Sequence, residues 1–144
     1  MGAPNSVIQP LHKVQNFAAR LILTAPHHHH STPLLKKLHW LPISERIKYK
    51  VACMCFHAIN GSGPTYLSEL LHIYTPSRTL RSSSIFRMLK IQQYECKTHG
   101  FRTFTCFGPY VWNSLPQDIR QCSTLPSFKT KLKTFLFSQY FRSS

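Results

Sequence analysis

Four carboxylates, Glu45, Glu69, Glu95 and Asp118, are all that the chain offers for acid–base work or for holding a hard cation. Two-metal phosphoryl transfer needs clustered carboxylates, and nothing here resembles a paired-Asp motif. The one Asp lies in Leu115-Pro116-Gln117-Asp118-Ile119-Arg120, which reads as a turn leading into a short helix. Polymerase, nuclease and glycosidase chemistry are therefore poorly served. Nucleophilic chemistry would fall to Cys53 or Cys55 with a histidine. Both thiols sit mid-way along the most apolar helix candidate, where a buried, inert thiol is the usual case. No phosphate-cradling glycine loop and no nucleophile elbow are present, and the chain has only five glycines. No enzyme is expected, and no cofactor or metal.

Histidine and cysteine could also bind a metal. His27-His28-His29-His30 is a run of four. Consecutive residues cannot all face one ion from a regular element, and no spaced Cys or His partner follows, so the tract reads as a mobile linker. The five cysteines are Cys53, Cys55, Cys96, Cys106 and Cys122, an odd number at irregular spacing. They read as free thiols in a reducing compartment.

Charge is the strongest signal. Eighteen Lys and Arg stand against four acids, a formal net charge of +14. Such a surplus favours phosphate-rich partners, because each cation placed on a phosphate releases condensed counterions. The competing reading is a chain separated from an acidic domain, but no acidic stretch offsets the field. No apolar run reaches the roughly 18 residues of a membrane span. No basic-then-apolar leader opens the chain either, so the expected address is cytoplasm or nucleus. Met1-Gly2-Ala3-Pro4-Asn5-Ser6 fits the short N-myristoylation pattern at Gly2, which often arises by chance.

The elements that must position these side chains read mainly as helices. The first runs from Leu11 to Leu23, with Leu11, Val14, Phe17, Ala18, Leu21 and Ile22 as its core face and Lys13 and Arg20 opposite. Thr32 caps a short helix that has Pro33 at its first position and carries Lys36 and Lys37. The strongest helix spans Ser44 to Asn60, capped by Ser44, with Ile47, Val51, Met54, Cys55 and Ala58 as its buried stripe. Arg46, Lys48 and Lys50 crowd its positive end. An external phosphate explains them better than helix stability does. Gly63-Pro64 opens another short helix. Residues 84–91 alternate loosely and suggest a strand or hairpin arm. Phe101, Phe104 and Phe107 recur at helical spacing and read as core, but Gly108-Pro109 should break or start a helix there. A last amphipathic helix covers Thr124 to Tyr140, with Lys129, Lys131 and Lys133 on its polar side.

Several of these stretches, in this order, resemble one family. Val14-Gln15-Asn16-Phe17-Ala18-Ala19-Arg20-Leu21-Ile22 is similar to a V-Q-N-x-A-A-R-L-I segment. Leu38-His39-Trp40-Leu41-Pro42-Ile43 with Arg46-Ile47-Lys48-Tyr49-Lys50, then Ala58-Ile59-Asn60-Gly61, resembles L-H-W-L-P-V-x-x-R-I-x-(Y/F)-K and A-L-N-G. Tyr74-Thr75-Pro76-Ser77-Arg78-Thr79-Leu80-Arg81-Ser82 and Gly108-Pro109-Tyr110-Val111-Trp112-Asn113-Ser114-Leu115-Pro116 resemble Y-x-P-x-R-x-L-R-S and (A/G)-P-x-x-W-N-x-L-P. Phe128-Lys129-Thr130-Lys131-Leu132-Lys133-Thr134 continues the likeness into the last helix. The family is the non-LTR (LINE-type) retrotransposon reverse transcriptases, in the region that follows the polymerase palm.

The resemblance implies a thumb-like helical region that grips a template–primer duplex, and a parent RNA-directed DNA polymerase. The palm's catalytic Asp pair is absent from this chain. The expectation is a C-terminal fragment that contacts RNA or RNA–DNA duplex without reading sequence, and that meets the polymerase core of its parent element. The alternative is a relic or orphan interaction segment with no activity. Expected phosphate contacts are Lys13, Arg20, Lys36, Lys37, Arg46, Lys48, Lys50, Arg78 and Arg81. The expected fold is mainly α: a small helical bundle, then a less regular helical segment with a short β-hairpin. The expected divisions are a flexible N-terminus (1–10), the thumb-like region (11–73), a basic linker (74–84) and an aromatic-rich region (85–144).

Overall fold

The computed structural model describes residues 4–75, 87–92 and 103–142. Over these residues the protein is mainly helical, in the order α1 (Asn5–Ile22), α2 (Ser31–Lys37), α3 (Ile43–Ile59), α4 (Thr65–Glu69), α5 (Phe104–Asn113), α6 (Gln117–Arg120) and α7 (Leu125–Arg142). Among them there is no strand, only an isolated antiparallel bridge between Ile73 and Leu89. Arg78 and Arg81, most of the 74–84 linker, Cys96 and Glu95 lie outside the described residues, as does Gly2.

Proline sets the helix starts. Pro4, Pro42, Pro64 and Pro116 each stand at the N-cap of α1, α3, α4 and α6, with extended ψ between 138° and 155°. A residue there needs no N–H of its own inside the helix, and its carbonyl accepts the first turn's amides. Arg46 N–H reaches the Pro42 oxygen at 2.9 Å, and Leu67 N–H reaches that of Pro64 at 3.0 Å. This corrects the expected caps. Ser44 lies inside α3, Thr32 lies inside α2 behind His30, and neither makes a side-chain capping bond. Residues 5–10, expected within a flexible terminus, form the start of α1. Pro10 is inside it. Its lost bond would leave the carbonyl of Ser6, an exposed residue that water can satisfy.

Helices α1, α2 and α3 all end on a left-handed residue. After α1 it is Thr24 (φ 48°), after α2 His39 (φ 52°), and after α3 Gly61 (φ 64°). Each closes the paired bonds of a Schellman motif; after α2, Trp40 N–H reaches Leu35 O at 2.9 Å and His39 N–H reaches Lys36 O at 3.1 Å. Only α3 uses the glycine that this backbone favours.

The core gathers around α3, which packs on α1, α4, α5 and α7. Phe56 of α3 stacks on Phe128 of α7 with centroids 4.6 Å apart, and Trp112 of α5 stacks on Phe128 at 5.7 Å. Trp112 and Phe128 are completely buried. One apolar cluster joins Leu41 to Leu71 with Phe107 to Leu136, so the segments on either side of the 74–84 linker share a core. The expected break at Gly108-Pro109 does not occur. Helix α5 runs through both residues, because Gly108 lies against Cys55 of α3, where a Cβ would stand 3.2 Å from the sulfur, and Pro109 is buried beside it. Tertiary contact outweighs the missing backbone bond.

Two apolar faces differ from expectation. On α3 the buried apolar residues are Ala52, Cys53, Cys55, Phe56 and Ala58; Ile47 and Val51 are half-buried and Met54 is exposed. A helix enclosed by four neighbours buries more than one stripe. On α1 the expected core face points outward: Leu11, Val14, Phe17, Leu21 and Ile22 are all exposed, Leu21 to 70%. The helix docks instead through Ile8, Gln15 and Ala19, with Gln15 Nε2 donating to Leu41 O at 2.8 Å. Gln15 Oε1 and Asn16 Oδ1 are buried with no donor, which makes this a weak attachment.

Asn113 fastens the bridge to α5. Its amide accepts from Leu89 N–H at 2.9 Å and donates to Leu89 O at 2.8 Å, while Trp112 Nε1 donates to Arg87 O at 2.6 Å. Asn113→Ala is expected to lower stability by about 1–3 kcal/mol in urea unfolding, the cost of leaving part-buried peptide groups unpaired. It should also speed hydrogen exchange at the Leu89 amide before any other core amide.

Candidate nucleic-acid interface

The cations that converge lie along the seam of α3 and α7. Arg46 and Lys50 are four residues apart on α3, so they share a face, and both are exposed. Lys129 and Lys133 repeat that spacing on α7 and are exposed too. Arg46 and Lys133 line the same cavity, whereas Cys53, two turns further along α3, lies in the fields of Lys129 and Lys50. Phe56 stacks on Phe128 while Arg46 shares a cavity with Lys133, so the helices are antiparallel at this seam. Arg46 and Lys133 mark one end of it, and Lys50 and Lys129 both act on Cys53 further along. Each pair is separated from the next by about 6 Å of helix rise.

Tyr49 and Cys53 form the floor between these rails. Tyr49 is half-buried and Cys53 is buried. Burial raises the Tyr49 phenol, and its Cys53 neighbour raises it further. Burial likewise raises the Cys53 thiol, against the opposing pull of Lys129, the Tyr49 hydrogen bond and Lys50. At the Arg46–Lys133 end the floor opens into a cavity of about 400 Å³, also lined by His39, Trp40, Leu41 and Tyr49. No carboxylate lines it.

The other expected contacts are placed differently. Lys48 leaves the Arg46–Lys50 face and pairs with Glu45 at 2.8 Å. Glu45 is buried, so this lysine serves the fold: it neutralises a carboxylate that water scarcely reaches. Arg20 donates through Nε and Nη2 to the His29 carbonyl at 3.4 and 3.2 Å, and so fastens the histidine tract. That tract, expected as a mobile linker, forms a turn between α1 and α2, with His29 N–H on Pro26 O at 3.1 Å. Lys13 is exposed on α1. Lys36 and Lys37 occupy the last turn of α2, where positive charge suits the carbonyl end. Sequence reasoning left Lys129 and Lys133 out of the site. Their i, i+4 spacing was visible, but nothing in the sequence set α7 against α3.

Cys55 is fully buried, and burial pushes its thiol up to about 12. Among the described residues no three His, Cys, Asp or Glu side chains gather to hold a metal.

Two outcomes test these assignments. Lys48→Ala should cost about 1–3 kcal/mol of stability, because it leaves a buried acceptor unmatched. Cys55 fixes the sign of an alkaline effect. The unfolded chain gives up this proton near pH 9, and the folded chain holds it to about 12. Stability is therefore intact below pH 9 and falls as pH rises towards 12, and Cys55→Ala should make that fall shallower in urea titrations at stepped pH. Comparison with protein-family models, curated proteins and solved structures returns no match to this chain.

Proposed function

We propose that this chain is a nucleic-acid contact module that grips the phosphates of an RNA–DNA or RNA duplex without reading its bases. The observation that carries the reading is the meeting of Arg46 and Lys133 at a cavity that no carboxylate lines, with Lys50 and Lys129 both acting on Cys53 along the same seam. Four cations over a low-dielectric floor concentrate a positive field where a phosphate backbone can lie. Phosphate contacts position a duplex and carry no sequence information, so binding should be strong at low salt and indifferent to sequence. The sequence likeness to LINE-type reverse transcriptases supports the same assignment: a thumb-like, non-catalytic segment that holds template and primer beside a polymerase core.

The exposed apolar face of α1 favours a second reading, a segment that docks on another protein surface. The two are compatible, since α1 and the α3–α7 seam are different surfaces.

Fluorescence anisotropy with a labelled RNA–DNA hybrid across a salt series tests the first reading. Log affinity should fall linearly with log salt, by about 0.9 per phosphate contacted. The double variant Lys50→Ala/Lys129→Ala should reduce that slope by about 2, one for each lost contact. Lys131→Ala, on another face of α7, should leave it in place. Affinity unchanged between low and moderate salt would rule the module out.

A further inference from the structure

The cavity at the Arg46–Lys133 end has a different character from the rest of the seam. Three partly exposed rings, His39, Trp40 and Tyr49, meet two cations there, and Leu41 closes the base. Its volume of about 400 Å³ falls within the range of small-molecule sites, about 300–1,000 Å³. His39 takes the left-handed conformation at φ 52° that ends α2, and that turn delivers its ring to Phe137 of α7, with centroids 5.5 Å apart, and Trp40 to the cavity. Two further cavities lack this combination. The one of about 320 Å³ beside Phe107 and Leu132 has Lys48, already committed to Glu45, as its cation. The one of about 260 Å³ beside Phe17 has Arg20, which is tied to His29.

We propose that this cavity receives one unpaired nucleotide at the end of a bound duplex, its base against the Trp40, Tyr49 and His39 rings and its phosphate on Arg46 and Lys133. The proposal rests on the duplex-gripping role of the seam and adds the substrate class: a duplex that ends in a single-stranded overhang, rather than a blunt one. Cationic rails suit a charged backbone of any base sequence. A ring-lined cavity suits a flat base that is free to leave its stack, and every base has a π-face, so the preference is for overhang and not for sequence.

The test uses the whole chain with one RNA–DNA hybrid in three forms: blunt, with a two-nucleotide overhang, and with the same overhang made abasic. Stacking of one base should make the natural overhang bind about tenfold more tightly than the blunt form. The abasic overhang should recover little of that gain. Trp40 gives a readout that needs no substitution. The other tryptophan, Trp112, is fully buried, so quenching on binding reports Trp40. Quenching is expected with the natural overhang and not with the blunt or abasic forms. Trp40→Ala should abolish the overhang preference. Equal affinity for all three forms, with no selective quenching, overturns the proposal and leaves the duplex grip standing. Equal affinity of natural and abasic overhangs assigns the cavity to phosphate alone and also overturns it. Failure of every form to bind sinks the grip and the cavity together.

Discussion

Phe128 is the side chain on which the rest of the arrangement depends. Its ring is sandwiched between Phe56 of α3 and Trp112 of α5, so one residue of α7 joins three helices. Such stacked contacts add to area burial and are directional, so they set the rotation of α7 as well as its position. That rotation places Lys129 and Lys133 along the border of α3. The adjoining Trp112-Asn113 pair ties the 87–89 segment to the same point through three hydrogen bonds. A chain with few glycines and no disulfide among its described cysteines therefore relies on aromatic packing at a single crossing.

Much of the helix content was readable because the signals are local. Pro64 and Pro116 mark two helix starts, and Asn60-Gly61 marks the end of α3, whereas the start of α3, expected at Ser44, lies at Pro42. What could not be read was which face of each helix finds a neighbour. The apolar spacing of α1 is regular from Leu11 to Leu21, yet the helix turns that face outward and docks through Gln15 and Ala19. Periodicity identifies an amphipathic helix but does not say what covers it. Gly108-Pro109 failed for the opposite reason, since a local helix-breaker is overruled by the close approach of α5 to Cys55.

The site shows the same division. Arg46 and Lys50 were recognisable from charge crowding at the positive end of α3. Lys48, between them, was not separable until its carboxylate was seen: helical spacing puts residue 48 on a different face, and Glu45 lies three residues before it. Lys129 and Lys133 belong to the site only through tertiary packing. Several residues that carry the sequence likeness, among them Gly108, Pro109, Trp112, Asn113 and Pro116, build the crossing rather than the surface. Others of those motifs, His39, Trp40, Leu41, Arg46, Tyr49 and Lys133, line the cavity.

The seam of α3 and α7 is the surface that we propose meets nucleic acid. Side-chain NMR of the chain titrated with a short RNA–DNA hybrid tests it most directly. Resonances of Arg46, Lys50, Lys129 and Lys133 should shift together with a single saturating curve, while those of Lys13 and Lys131 stay in place. Shifts centred on Lys13, or spread evenly over every cation, would contradict the account.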